Sequence, residues 1–176
     1  MKGQVELELK TLVSRQDFEK LTAHYQPLNF VRQVNTYFVT RDPSHYAFRI
    51  RERLEEKLFT LKHHHNGQVI EYEKTFTGNF FDDPQIRETL EEFGITPPYQ
   101  VLGALTTERA IVDTGMAELC FDINSYNGLT DYEIEYEVKK PHDHRETFEA
   151  ILAKAGISYD KSWGSKYKRC LTTKNQ

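Results

Sequence analysis

The sequence predicts a mainly-β protein of the α+β class, with about eight antiparallel strands closed into a barrel and helices flanking it. Three observations lead there. Charged and apolar residues alternate in three separate segments: Glu6, Glu8 and Lys10 with Val5, Leu7 and Leu9; Arg49, Arg51 and Arg53 with Phe48 and Ile50; and Glu133, Glu135 and Glu137 with Ile134, Tyr136 and Val138. A period of two sends one set of side chains to each side of a strand. Turn signals, Asn66-Gly67, Asp113-Thr114-Gly115 and Asn127-Gly128, separate the alternating segments. Helical spacing is confined to short stretches between strands. Because acidic and basic stripes fall on different strands, a barrel gathering them would be lined with both carboxylates and guanidinium groups. Such a lining suits a polyanion held together with divalent metal ions.

The elements follow in chain order. Val5 to Lys10 is the first strand, with its three aliphatic residues on one side and its charges on the other. Ser14 is placed to cap a helix from Arg15 to His24, with Phe18 and Leu21 on its buried face and Pro27 ending it. Val31 to Thr40 is the second strand, followed by a turn at Arg41, Asp42, Pro43 and Ser44; Tyr46 to Leu54 and Lys57 to His63 are the third and fourth. Asn66-Gly67 turns the chain into the fifth strand, Val69 to Phe76. From Asp82 to Phe93 the period changes, with Ile86, Leu90 and Phe93 at helical intervals and Gly94 as the stop. Three more strands, Val101 to Ile111, Ala117 to Asn124 and Asp131 to Lys139, precede a helix from Glu146 to Ala155 that buries Phe148, Ile151 and Leu152. Ser165 to Leu171 forms a short terminal helix.

At 176 residues the chain fits one domain, 1–176, and its 38% hydrophobic content is low, as a partly polar interior requires. The 27 acidic and 23 basic residues leave a formal charge of −4, which does not favour nucleic acid as a partner. No apolar run reaches membrane length and the N-terminus opens on a strand pattern, so a soluble cytoplasmic protein, monomer or homodimer, is expected. Cys120 and Cys170 have neither disulfide-framework nor zinc-site spacing and read as reduced packing residues. His63, His64 and His65 alternate in direction and cannot all ligate one ion, so they read as a solvated hairpin end. Tyr37, Tyr46, Tyr167 and Trp163 read as wall packing before base stacking.

Two carboxylates at i and i+2 on a strand, Glu6 with Glu8 or Glu133 with Glu135, can supply the oxygen ligands that magnesium or manganese prefers. Lys10 and the arginine stripe add the opposite charge, as expected where phosphates and metals occupy one cavity. In order, these motifs resemble the signature of the CYTH superfamily, the triphosphate tunnel metalloenzymes, which includes thiamine triphosphatases and class IV adenylate cyclases. The resemblance spans nearly the whole chain: Glu6-x-Glu8-x-Lys10, Tyr37-Phe38, Arg49-Ile50-Arg51, Thr60-Leu61-Lys62, Glu71 or Glu73, Arg109, Asp122, Glu133-Ile134-Glu135, and Lys166 within Ser165-Lys166-Tyr167.

The resemblance implies an eight-stranded triphosphate tunnel. Lys10, Arg49, Arg51, Lys62, Arg109 and Lys166 would hold phosphate oxygens, while Glu6, Glu8, Asp122, Glu133 and Glu135 would ligate or position Mg2+ or Mn2+, two ions in all. Glu6, Glu8, Lys10 and Glu73 would form the catalytic set; Glu71 shares the strand phase of Glu73, which is preferred. The implied activity is hydrolysis of inorganic, thiamine or nucleoside triphosphate. A class IV adenylate cyclase and a non-catalytic polyphosphate or nucleotide-binding module are the alternatives.

Overall fold

The computed structural model describes residues 1–40, 48–160 and 164–172. The alternating segments become nine strands: β1 (Gln4–Glu6), β2 (Glu8–Val13), β3 (Val31–Val39), β4 (Phe48–Arg53), β5 (Glu56–His65), β6 (Gln68–Phe76), β7 (Gln100–Asp113), β8 (Ala117–Tyr126) and β9 (Leu129–Val138). Among the described residues four α-helices accompany them, α1 (Arg15–Ala23), α2 (Pro84–Glu92), α3 (His144–Ala153) and α4 (Lys166–Thr172), with a 3-10 turn at Phe80–Asp82. The expected turn from Arg41 to Ser44, Tyr46 and Trp163 lie outside the described residues.

Nine strands replace the expected eight because the N-terminal strand divides at Leu7. β1 pairs with β6, Val5 opposite Ile70, whereas β2 pairs with β9, Lys10 opposite Glu135. Alternation alone cannot reveal such a break, since the identity of the neighbouring strand is a long-range property. The chain forms two compact units. Unit 1 comprises Met1–Glu6, Gln33–Thr106 and Lys166–Gln176; unit 2 comprises Leu7–Arg32 and Thr107–Ser165. β1, β4, β5 and β6 belong to unit 1 and β2, β8 and β9 to unit 2, while β3 and β7 contribute residues to both.

Each unit buries the apolar face of its strands. In unit 1, Phe48, Ile50, Phe59 and Leu61 pack with Ile86 and Leu90 of α2. In unit 2, Phe121, Ile134 and Tyr136 pack with Phe18 and Leu21 of α1 and with Phe148 and Leu152 of α3. The helices start where short polar side chains satisfy their first N–H groups: Ser14 accepts from Asp17 N, and Asp143 from Glu146 N. Asn66 and Gly67, at φ 49° and 76°, close the β5–β6 hairpin with both central residues in the left-handed region, as a type I′ turn requires.

At the N-terminal end of the chain the charged side is the enclosed one. Val5 and Leu7 are 59% and 43% exposed, while the side chain of Glu6 between them is only 11% exposed. Of the three aliphatic residues, Leu9 reaches the unit 2 core, because it lies on the stretch over which α1 and α3 pack. The charged side of these strands is therefore more enclosed than the apolar residues that precede that stretch.

Asp83 caps α2, accepting from Gln85 N at 3.0 Å, Ile86 N at 3.1 Å and Lys74 Nζ at 3.0 Å. Burial alone would raise its pKa; Lys74 and the two N–H groups outweigh that and hold it below the ordinary 3.8. A depressed folded-state pKa contributes stability above the unfolded value and loses it as pH falls through the folded one. Asp83→Ala is thus expected to lose about 1 kcal/mol at pH 7, with the deficit shrinking below about pH 4, as read by urea unfolding at pH 7 and pH 3.

Candidate functional site

On the polar face of unit 1, strand register brings three cations beside their partners. Thr60 stands opposite Arg49 on β4 and Glu73 on β6. Arg49 Nη2 donates to Thr60 Oγ1 at 3.0 Å, and that hydroxyl donates to Glu73 Oε1 at 2.8 Å. Arg51 Nε donates to Asn35 Oδ1 at 3.0 Å. Lys62 Nζ donates to both oxygens of Glu6, at 2.7 and 2.8 Å, and lies 3.0 Å from Glu71. Glu71 and Glu73 therefore serve different cations, Glu71 the lysine and Glu73, through Thr60, the arginine. Lys166 is the first residue of α4 and is half-buried.

The polar face of unit 2 holds the carboxylates. Arg109 on β7 donates from Nε to Asp122 Oδ1 at 2.7 Å and from Nη2 to Asp122 Oδ2 at 2.5 Å; Nη2 also donates to Glu135. Carboxylate oxygens of Asp122, Glu133 and Glu135 lie within 4.8 Å of one another, on residues only 0%, 1% and 6% exposed. Burial alone would lower the pKa of Arg109, but Asp122 and Glu135 raise it well above its ordinary value, so it stays a cation. Lys10 is ion-paired with Glu8 and faces Glu135 across the strands. Burial would lower its pKa too; Glu8, Glu135 and Glu133 outweigh that and raise it.

This donor set fits a hard divalent cation. Its ligand atoms are all carboxylate oxygens, the choice of Mg2+ and Mn2+ over softer metals. Asp122, Glu133 and Glu135 also sit where water is largely excluded, so their carboxylates are held by protein groups or by an ion rather than by solvent. Glu6 and Glu8 do not form the i, i+2 pair of one strand. The break at Leu7 puts Glu6 with Lys62 in unit 1 and Glu8 with Lys10 in unit 2.

Other residues singled out in the sequence have structural partners. The Tyr37 ring packs on Tyr167, 5.5 Å between centroids. His63 lies 5.0 Å from the Phe93 ring, and His64 and His65 are exposed at the end of β5. Cys120 and Cys170 are buried thiols. Cys120 lies opposite Glu135, and burial first, with Glu135 and Asp122 adding to it against Arg109, pushes its thiol up to about 12, which removes it as a nucleophile. Sequence reasoning missed Asn35 as a partner of Arg51, and the chain in which Thr107 Oγ1 donates to Asn124 Oδ1 at 2.7 Å and Asn124 Nδ2 to Asp131 at 2.9 Å. Asparagine is disfavoured within strands, and its presence inside β3 and β8 was the available signal.

Strands with one apolar and one enclosed charged face, a buried carboxylate trio and rows of cations are the features that a relative of this chain has to match. The sequence pattern of the CYTH domain matches residues 4–170, and the chain belongs to that family. It is 28% identical over 170 residues to a Bacillus subtilis (strain 168) protein, YjbK, named as a candidate triphosphatase, covering 89% of this chain and 90% of that one. It also resembles the crystal structure of a Bacillus halodurans protein named as a candidate adenylate cyclase, at 30% identity and TM-score 0.84, covering 96% of this chain and 98% of that one. The structure of HpAC1 from Hippeastrum, whose description reports a dominant triphosphatase activity, shares the fold at 22% identity and TM-score 0.79, over 95% of both chains. No described helix is long and apolar enough to cross a membrane.

Arg109→Leu removes the guanidinium bound to buried Asp122 and Glu135 and is expected to cost roughly 3–5 kcal/mol in urea unfolding. Adding Asp122→Asn and Glu135→Gln to that variant should recover much of the loss, because the cost is uncompensated charge rather than lost packing.

Proposed function

We propose that this protein hydrolyses triphosphates with the help of Mg2+ or Mn2+. The observation that carries the reading is the buried Asp122, Glu133 and Glu135 trio braced by Arg109, in a chain of the CYTH family. The YjbK relative, named as a candidate triphosphatase, supports the same chemistry.

Asp122, Glu133 and Glu135 would hold the metal, with Glu6 and Glu8 positioning the lysines beside them in their own units. When bound, one or two such ions would supply Lewis-acid charge neutralisation to the triphosphate. The protein's own cations do the rest of the holding. Arg49, Arg51 and Lys62 in unit 1, Lys10 and Arg109 in unit 2, and Lys166 at the start of α4 offer donors to non-bridging phosphate oxygens. Lys62, shared between Glu6 and Glu71, can exchange carboxylate for phosphate oxygens without losing charge compensation. A water oxygen attacks the terminal phosphorus, the bridging P–O bond breaks towards the leaving phosphates, and a carboxylate takes the water's proton. Glu73, anchored through Thr60 yet still 39% exposed at its side chain, is the group assigned to that proton.

The cyclase name of the Bacillus halodurans structure supports a second reading, in which a ribose hydroxyl attacks the first phosphorus and releases pyrophosphate. Phosphorus NMR of products from inorganic triphosphate, thiamine triphosphate and ATP, each with Mg2+ or Mn2+ and with a chelator control, separates the two. Metal-dependent orthophosphate is expected; cyclic AMP with pyrophosphate from ATP would replace the hydrolase reading. Steady-state kinetics extend the test. Lys10→Ala should raise KM about tenfold, the size of one charge-assisted contact, and Glu135→Gln should lower kcat by at least roughly 100-fold with far-ultraviolet circular dichroism unchanged.

A further inference from the structure

Three residues of unit 2 that the proposed chemistry does not use repeat the layout of the buried cluster. Thr107, Asn124 and Asp131 each stand two residues from one of its members, Arg109 on β7, Asp122 on β8 and Glu133 on β9, and so lie on the same side of their strands. They form a second row about 7 Å further along. Side-chain hydrogen bonds tie this row across all three strands: Thr107 Oγ1 donates to Asn124 Oδ1 at 2.7 Å, Asn124 Nδ2 to Asp131 Oδ1 at 2.9 Å, and Tyr126 Oη to Asp131 Oδ2 at 2.6 Å. Thr107 and Asn124 are fully buried.

The carboxylates have need of such a tie. Asp122 stands directly opposite Glu133 in the β8–β9 register, and like charges at facing positions push strands apart. The next pair along, Asn124 opposite Asp131, is the reverse case, an amide donating to a carboxylate. In the other direction the polar side carries more carboxylates, Glu118 opposite Glu137 and Glu137 opposite Glu8. A backbone ladder fixes which residues face one another but leaves room for changes of twist. The side-chain chain narrows that room, because Asn124 engages its carbonyl with Thr107 and its amino group with Asp131, and parting either pair would leave a buried polar group unsatisfied.

We infer that Thr107 and Asn124, with Asp131, are positioning residues for the cation site: their chain holds Asp122 and Glu133 at the spacing a divalent ion requires before the ion arrives. The inference rests on the metal-assisted reading above. It adds to that reading three residues that lie outside the sequence motifs and touch neither metal nor phosphate.

The test is isothermal calorimetry with Mn2+ alone, well below the unfolding temperature of each variant. Thr107→Val keeps the branched shape and removes the donor to Asn124; it is expected to bind Mn2+ about tenfold more weakly, the low end of the range for groups that orient metal ligands. Thr107→Ser keeps the hydroxyl and should bind as the wild type does. Thr89→Val removes a buried hydroxyl of the same kind from α2 in unit 1, where Thr89 Oγ1 donates to Gln85 O at 2.8 Å, and should leave Mn2+ affinity unchanged. In steady-state kinetics Thr107→Val should need more Mn2+ for half-maximal rate and keep the wild-type kcat once Mn2+ saturates. Wild-type affinity in Thr107→Val, an equal loss in Thr107→Ser or Thr89→Val, or a lower kcat with the Mn2+ requirement unchanged overturns the inference and leaves the metal-assisted reading standing. Failure of the wild type to bind Mn2+ overturns both.

Discussion

Arg109 holds unit 2 together electrostatically. A sheet that turns its charged stripe away from bulk water must compensate each carboxylate it hides, and Asp122, Glu133 and Glu135 are nearly wholly hidden. Arg109 compensates by forking, two bonds to Asp122 and one to Glu135, geometry that the point charge of a lysine cannot reproduce. Lys10 supplies the remaining positive charge from β2. The result is a buried cluster of carboxylates hydrogen-bonded around one guanidinium. In the function proposed above, a divalent cation would meet the carboxylates and a polyanion the lysines and arginines.

Unit 1 solves a different problem with the same strand geometry. Its charges are mixed within each cross-strand row, so Arg49, Thr60 and Glu73 form a relay of hydrogen bonds and Lys62 sits between two carboxylates. Neutral groups, Thr60 and Asn35, occupy the most enclosed positions there. The cations are consequently held in place by side chains of the neighbouring strands, and a ligand that met them there would find their positions already set.

Much of this was legible in the sequence because it depends on local rules. Period-two alternation located the strands, Ser14 the start of α1, Asn66-Gly67 the tight hairpin, and Phe148, Ile151 and Leu152 the buried face of α3. The clustering of Asp122, Glu133 and Glu135 with Arg109 could be anticipated only through the order of short motifs, since these residues meet across three strands. What was not legible depends on pairing. The break at Leu7, the division of Glu6 from Glu8, and the outward direction of Val5 all follow from which strand lies alongside, and a strand's own residues do not encode its neighbour. Asn35 and Asn124 were hidden for the opposite reason: they look like breaks in strand propensity and act as buried hydrogen-bond partners.

The alternation that interleaves core and charge along every strand also governs how such a chain can vary. Inserting or deleting one residue within β4 or β9 would exchange the faces downstream, moving Ile134 into the place of a carboxylate and a carboxylate into the hydrophobic core. Fold and chemistry would fail together. Length change is therefore confined to places where no face has to be kept, such as the exposed hairpin ends at His64 to Gly67 and Asn127-Gly128. Each strand thus carries a reading frame of inward and outward positions that a substitution leaves intact and a single insertion destroys.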